Sequence, residues 1–271
     1  MIPGCISKYV CINGKIVESN NVTIPQASMV LYDVLRVYNT IPLFAELHAN
    51  RFFESFTLAQ LPQPFMRHVF ETSIYSLISK EQIIEGNIRC AYYVSETPVY
   101  MVYQIAHSYP TPQMYQQGID VALLHAMREN PNVKQELQVR SIANTMIAEQ
   151  GVYDVLLVDA DGNITEGSRT NAFFIKDNTV YTAPACDVLV GITRKKITEL
   201  MNQHNIPCVE QKIPVSDIAQ FDAACLTGTS PKILPIASIL QTKTFSTQHS
   251  CLQLLQNIYN EEIETYVSRR L

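Results

Sequence analysis

The dipeptide Asn13-Gly14 sits between two short strand-like runs, Tyr9-Val10-Cys11-Ile12 and Lys15-Ile16-Val17-Glu18. A two-residue turn between antiparallel strands needs positive φ at both positions, which Asn and Gly tolerate, so this segment reads as a β-hairpin. The pattern repeats at once: Leu31 to Tyr38 and Pro42 to Phe44 read as a second strand pair around Asn39-Thr40. From Glu46 to Leu58 the apolar spacing turns helical through Leu47, Phe52, Phe56 and Ala59, with His48 and Arg51 three residues apart. A second helix is expected over Pro64 to Ser79, followed by strands Ile88 to Val94 and Val99 to Ile105. The first part of the chain is therefore α+β.

Between Ser108 and Gly118 the prolines and glutamines show no periodicity, which is the composition of a linker. The expected division is a small α+β domain over 1–110, a linker over 111–118 and a larger domain over 119–271. In the second part, strand Ile119 to His125 leads into a polar loop, Arg128 to Glu136, and a short strand end, Leu137 to Arg140. A helix over Ile142 to Glu149 and a strand over Val152 to Val158 follow, then the tight turn Asp161-Gly162-Asn163. Strands Asn171 to Ile175 and Val180 to Thr182 come next, and Gly191-Ile192-Thr193 opens a helix through about His204. Strands Cys208 to Lys212, Ala223 to Leu226 and Ile233 to Leu240 precede a closing helix, Leu252 to Arg269. Many strands with interspersed helices point to a mixed α/β, barrel-like domain.

With 271 residues, 47% hydrophobic and 17% charged, the chain can bury a sizeable core. A net charge of −5 with no basic run gives nucleic acid no electrostatic footing. No apolar stretch approaches the roughly 20 residues that span a bilayer. Met1-Ile2-Pro3-Gly4-Cys5 has neither a basic start nor a long apolar core, so it does not read as a signal peptide. Seven scattered cysteines without Cys-x-x-Cys spacing read as reduced thiols packed as small hydrophobes, and six histidines show no metal-ligand spacing. A cytoplasmic protein without a metal site is the expectation.

Three stretches have the chemistry to hold a phosphorylated ligand. Gly191-Ile192-Thr193 begins a helix, where unpaired N–H groups and the dipole favour an anion. Thr227-Gly228-Thr229-Ser230 is a hydroxyl-rich turn after an apolar strand, and Arg51 offers a fork of charged donors. Each has a plainer reading too: a helix cap, an ordinary turn, a solvated helix face carrying His48 and Arg51. Tyr32 has a plain reading as core, whereas Arg89, inside an apolar strand, needs an acceptor.

Order and spacing together resemble the fold-type IV (class IV) pyridoxal-phosphate enzymes: branched-chain aminotransferases, D-amino-acid aminotransferases and aminodeoxychorismate lyases. Thr165-Glu166-Gly167-x-x-x-Asn171-x-Phe173 is similar to the segment whose carboxylate holds the pyridine nitrogen. Gly191-Ile192-Thr193-Arg194 and Thr229 resemble the phosphate-binding turns, and His48-x-x-Arg51 the segment whose arginine contacts the phosphate. Tyr32 resembles the active-site tyrosine region, and Arg89 an arginine near the substrate carboxylate. The resemblance implies a fold-type IV architecture, a homodimer, a small amino acid as substrate and pyridoxal 5'-phosphate as cofactor. Its cofactor-binding residues would be Arg51, Glu166, Ile192, Thr193 and Thr229, with Tyr32, Arg89 and the residue at position 140 toward the chemistry.

That last position departs from the family. Where the Schiff-base lysine stands in patterns such as Lys-x-x-x-Asn, this chain has Arg140-Ser141-Ile142-Ala143-Asn144, and Thr145 replaces the following aromatic. A guanidinium has no amine lone pair to offer a carbonyl or a proton. Lys134, Lys195, Lys196 and Lys232 are the other lysines near these motifs, and Lys232, just after the Thr229 turn, is the best placed. Three readings follow: an enzyme binding pyridoxal phosphate noncovalently with altered chemistry, an enzyme using the same residues for another anionic substrate, or a non-catalytic binding protein on this scaffold.

Overall fold

The computed structural model describes residue 2, residues 4–126 and residues 139–271. The expected loop over Arg128 to Glu136, the strand-end residues Leu137 and Gln138, and Lys134 lie outside the described residues. The chain divides into two compact units. The first holds the described residues up to Ser108 together with Ile263–Leu271; the second begins at Tyr109 and ends at Glu262.

In the first unit, β1 (Tyr9–Ile12) and β2 (Lys15–Glu18) form the expected hairpin, with Asn13 and Gly14 at φ 47° and 83°. Strand β3 (Met29–Tyr38) turns through Asn39 and Thr40, both at positive φ, into the short β4 (Ile41–Pro42). Phe44 does not extend that strand as expected. It adopts a left-handed conformation at φ 52° and starts α1 (Ala45–Leu58). Helix α2 (Arg67–Glu81) begins three residues later than the sequence pattern implies, because Met66 is still extended. Strands β5 (Glu85–Val94) and β6 (Val99–Ile105) complete an antiparallel sheet of order β2-β1-β6-β5-β3-β4.

Alternation along β3 sorts its two faces. Leu31, Leu35 and Val37 join a core with Phe52, Phe56, Phe70 and Leu77 of the two helices, whereas Tyr32 belongs to a second cluster with Ala91, Met101 and Tyr103. Asp33 has the parity of the first set, so a charged side chain is placed among apolar ones.

The second unit opens with α3 (Pro112–Gln117), inside the segment expected to be a bare linker. Thr111 caps it by accepting from Met114 N at 3.3 Å, Pro112 occupies its first turn and Gly118 ends it at φ 77°, a local helix signal that composition conceals. Strand β7 (Ile119–His125) follows. Helix α4 (Val139–Gln150) includes Val139 and Arg140, correcting the expected strand end. Strand β8 (Asp154–Val158) and β9 (Asn163–Gly167) come next; β9 is missing from the sequence reading because its run Asn-Ile-Thr-Glu-Gly is polar and ends in glycine. Strands β10 (Asn171–Lys176) and β11 (Thr179–Thr182), helix α5 (Ile192–Gln203), and strands β12 (Cys208–Glu210), β13 (Ile213–Pro214), β14 (Ala223–Gly228), β15 (Lys232–Ile239) and β16 (Lys243–Thr244) follow.

Pairing runs β10-β14-β15-β7-β8-β9 and returns to β10 through Asn171 and Glu166, so six strands close into a barrel. Its interior is filled by Val121, Leu156, Ile164, Ala172, Phe174, Leu226, Leu234 and Ile236. The closing contact is the single register pair that joins the two polar positions of the Glu-x-x-x-x-Asn motif. Helix α6 (Ser250–Ser268) ends the fold, and its last turns count with the first unit. There the Tyr266 hydroxyl donates to Glu46 at 2.6 Å and accepts from Ala45 N at 3.2 Å.

All seven cysteines are free, and four of them, Cys11, Cys90, Cys225 and Cys251, are buried. Among the described residues no helix is long and apolar enough to cross a membrane, and no group of three or more His, Cys, Asp or Glu is placed to hold a metal ion.

Candidate functional site

In the first unit, the parity that sends Asp33 toward α1 gives it two basic partners. Asp33 is 0% exposed. Arg51 donates from Nε to Oδ2 at 2.8 Å and from Nη2 to Oδ1 at 2.7 Å, while His48 Nδ1 lies 2.7 Å from Oδ1. Burial alone would raise the Asp33 carboxyl, but the charges of Arg51 and His48 and their hydrogen bonds outweigh it and hold it well below the usual carboxylate range. His48, buried, and Arg51, largely covered, are thus tied to Asp33 rather than forming a solvated helix face. Arg51 reaches any further anion only with what its fork leaves over from Asp33. Nothing in the sequence pattern singled out Asp33, although an acid inside an apolar strand is itself a signal that a cation lies nearby.

On the other face of the same sheet, Tyr32 is 2% exposed and the Arg89 guanidinium lies 4.1 Å from its ring centroid. Val34 and Arg89 are register partners, so β3 and β5 place this cation–π pair directly. Tyr32 is therefore core, and it also carries the arginine.

In the second unit, a β-bulge orients Glu166. The register shifts by one residue between the pairs Val158–Ile164 and Leu156–Gly167. Ile164 faces the barrel interior, so without the extra residue Glu166 would face it too; the bulge turns it to the side of Asn171. Glu166 is 3% exposed, and its Oε2 accepts from Leu189 N at 3.2 Å and Asn171 Nδ2 at 3.3 Å. The same Asn171 amide donates to Leu189 O at 2.8 Å. Asp154 pins the loop between Glu166 and Asn171, accepting from Ser168 Oγ at 2.5 Å and Thr170 Oγ1 at 2.9 Å. Asp154, Leu189 and the bridging role of Asn171 escaped sequence reasoning because each works through a backbone position that only the closed barrel brings near.

Helix α5 begins beside this carboxylate. Gly191 is its N-cap and supplies no side-chain cap, so among the described residues its first amides are left without the usual capping acceptor. Ile192 and Thr193 are 6% and 3% exposed, and Thr193 Oγ1 accepts from the Tyr259 hydroxyl at 3.4 Å. Arg194 anchors the helix head through Ala183 O at 2.6 Å and Glu210 at 3.1 Å. Helix α5 packs on β14, where Thr227 is the register partner of Asn171. Thr227 is 1% exposed, and its hydroxyl has no hydrogen-bond partner among the described residues. Thr229 is half-buried in the turn that follows.

Arg140 lies in the first turn of α4, half-buried, one helical turn before Asn144. Asn144 accepts from Arg169 at 2.5 Å, and Arg169 belongs to the Glu166–Asn171 loop. Lys232 begins β15 and its amine donates to Asn260 at 3.0 Å, whereas Lys196 is paired with Glu262 at 2.7 Å. The structure therefore gathers Glu166, Ile192 and Thr193 around Asn171 in the second unit, and Arg51 with His48 and Arg89 with Tyr32 in the first.

A buried carboxylate beside an uncapped helix start and an unpartnered buried hydroxyl is a donor set that fits the ring and phosphate of pyridoxal phosphate. Comparison with known proteins points the same way. The family model described as Amino-transferase class IV matches residues 30–239. The branched-chain-amino-acid aminotransferase of Pseudomonas aeruginosa is 26% identical over 233 residues, which cover 78% of this chain and 76% of that protein. Among solved structures, the branched-chain amino acid aminotransferase from Thermobaculum terrenum in its PLP-form superposes with a TM-score of 0.83 at 20% identity, covering 96% of this chain and 95% of that one. A protein described as a 4-amino-4-deoxychorismate lyase from Legionella pneumophila gives 0.78 at 19% identity, covering 88% and 96%. At such identities the structural likeness shows the fold.

Proposed function

The chain belongs to the class IV aminotransferase family, and we propose that it binds pyridoxal 5'-phosphate or a close phosphorylated relative noncovalently, with altered transaminase- or lyase-like chemistry on a small amino acid or anionic substrate. The observation that carries this is the meeting of Glu166, Asn171 and the open amides of α5 in one place. Glu166 would hold a proton at the ring nitrogen. Ile192, Thr193 and Thr229, with Arg51, would hold the phosphate, and Tyr32 and Arg89 would face the substrate. Bound there, the cofactor supplies an electron-withdrawing ring that can take up charge released at the neighbouring carbon.

Arg140 replaces the amine on which the usual family chemistry turns. It keeps the positive charge but neither attacks a carbonyl nor takes up a proton, so its role is to bind an anion such as a carboxylate. Losing a positioned acid–base group costs on the order of 10² to 10⁴ in rate. The family resemblance further implies a homodimer, which sedimentation or light scattering would check.

The test is to titrate the purified chain with pyridoxal phosphate, then reduce with borohydride and weigh the protein. Saturable binding with no gain of covalent mass is expected, and Arg140→Lys should acquire the covalent adduct. Covalent fixation in the unaltered chain would mean that Lys232 or another lysine serves and would overturn the lysine-free reading. Absence of binding would favour another anionic substrate, or a non-catalytic scaffold.

A further inference from the structure

We propose that Asn171 is a positioning residue that couples the Glu166 carboxylate to the phosphate turn at the head of α5. The inference rests on the cofactor reading above and deepens it.

Asn171 is 5% exposed and opens β10 opposite Glu166, at the pair that closes the barrel. Its one side-chain amide serves three neighbours. Nδ2 donates to Glu166 Oε2 at 3.3 Å and to Leu189 O at 2.8 Å. Leu189 N returns a bond to the same Oε2 at 3.2 Å, so carboxylate, amide and Leu189 backbone form a closed triangle. Oδ1 lies against Gly191: a Cβ built on that glycine would collide with it, although the Gly191 backbone, at φ −67°, would suit any residue. The glycine at the head of α5 is thus required by Asn171 rather than by its own conformation.

The chemistry of these donors matters as much as their number. An amide and a backbone N–H orient the carboxylate and bring no opposing charge of their own, as a lysine or arginine in the same place would. Flipping the amide would set Oδ1 against both the carboxylate and the Leu189 carbonyl, so the donor orientation is determined by its surroundings. A displacement of the α5 head is transmitted through Leu189 and Gly191 to Asn171 and so to Glu166. The α5 head is thereby the fixed reference against which Asn171 sets Glu166, so loss of the amide disturbs the carboxylate rather than the helix amides.

The experiment uses the full chain and two probes: pyridoxamine phosphate, which needs no lysine, and benzyl phosphate, which keeps ring and phosphate but lacks the nitrogen. In Asn171→Ala, pyridoxamine phosphate affinity should fall about tenfold to a hundredfold, the loss typical of a hydrogen bond to a charged group, while benzyl phosphate affinity stays within about threefold. The absorbance titration of bound pyridoxamine phosphate should show its ring nitrogen losing its proton at lower pH than in the wild type, as it should in Glu166→Gln. Asn171→Leu, which is close in size and removes the donor without adding charge, should behave like Asn171→Ala and guards against a variant that merely fails to fold. Equal loss of both probes, or an unchanged ring-nitrogen titration in folded variants, would reduce Asn171 to a barrel-closing residue and overturn the proposal. A wild-type chain that binds benzyl phosphate but not pyridoxamine phosphate would overturn the cofactor reading, and this inference with it.

Discussion

Asp33 and Glu166 are both almost wholly shut off from water, and they are held in opposite ways. Asp33 meets a guanidinium and an imidazole, two basic partners, at 2.7–2.8 Å. Glu166 meets a neutral amide and a backbone N–H on one oxygen, at 3.2–3.3 Å. A carboxylate embraced by charge is consumed by the fold, since its attraction is already spent against the cost of burial. The Asn171 amide and the Leu189 N–H orient the Glu166 carboxylate and add no opposing charge of their own. The contrast shows Asp33 tied into the packing of β3 on α1, and it supports the part proposed for Glu166 in recognition.

The difference between the two acids has its largest consequence at Arg51. Arg51→Met keeps much of the bulk but leaves Asp33 buried beside His48 alone. Removing one partner of a buried ion pair typically costs about 3–5 kcal/mol. Urea unfolding of the ligand-free variant should show a loss of that size. A loss below about 1 kcal/mol, the value of an exposed pair, would mean that the cluster is not what steadies this sheet–helix layer.

Acid provides the next test, and the sign follows from the direction of the shift. Asp33 is held below its ordinary value in the folded chain, so the unfolded chain takes up its proton first. Its stabilisation is fully present above about pH 4, the unfolded value, and is lost as pH falls toward the folded one. Asp33→Asn should be less stable than wild type at neutral pH but lose less between neutral and acid. Parallel curves for the two proteins in urea titrations across that range would remove Asp33 as a source of the acid limb.

The two acids also differ in how far they could be read from the chain. Glu166 was legible because Thr-Glu-Gly-x-x-x-Asn-x-Phe is a local pattern, and both hairpin turns in the first unit were legible because Asn13-Gly14 and Asn39-Thr40 act within four residues. Asp33 was not, since its partners lie 15 and 18 residues away on a helix face that itself looked solvated. The bulge that aims Glu166 was invisible for a similar reason: it exists only relative to β8. Closure of the barrel, and with it the nearness of Leu189 and Thr227 to Asn171, depends on strand pairings across more than fifty residues. Local chemistry fixed the turns and the motif residues; register between distant strands decided which of them meet.

Thr227 provides the smallest effect and the finest distinction between the two sites. Asp33, His48 and Arg51 all find partners in one another, whereas the Thr227 hydroxyl, in register with Asn171, finds none among the described residues. A buried hydroxyl left unpaired costs about 1–3 kcal/mol, and valine has the same shape without that cost. Thr227→Val should therefore leave the ligand-free chain as stable as wild type or more stable by about 1 kcal/mol. If the hydroxyl is kept for the ligand, the same variant should bind pyridoxamine phosphate several-fold more weakly, so that adding the ligand raises its melting temperature less than it raises that of the wild type. A ligand-free chain that is destabilised instead would show that the hydroxyl is paired in solution, and the site around Asn171 would then hold this group as completely as the Asp33 cluster holds its own.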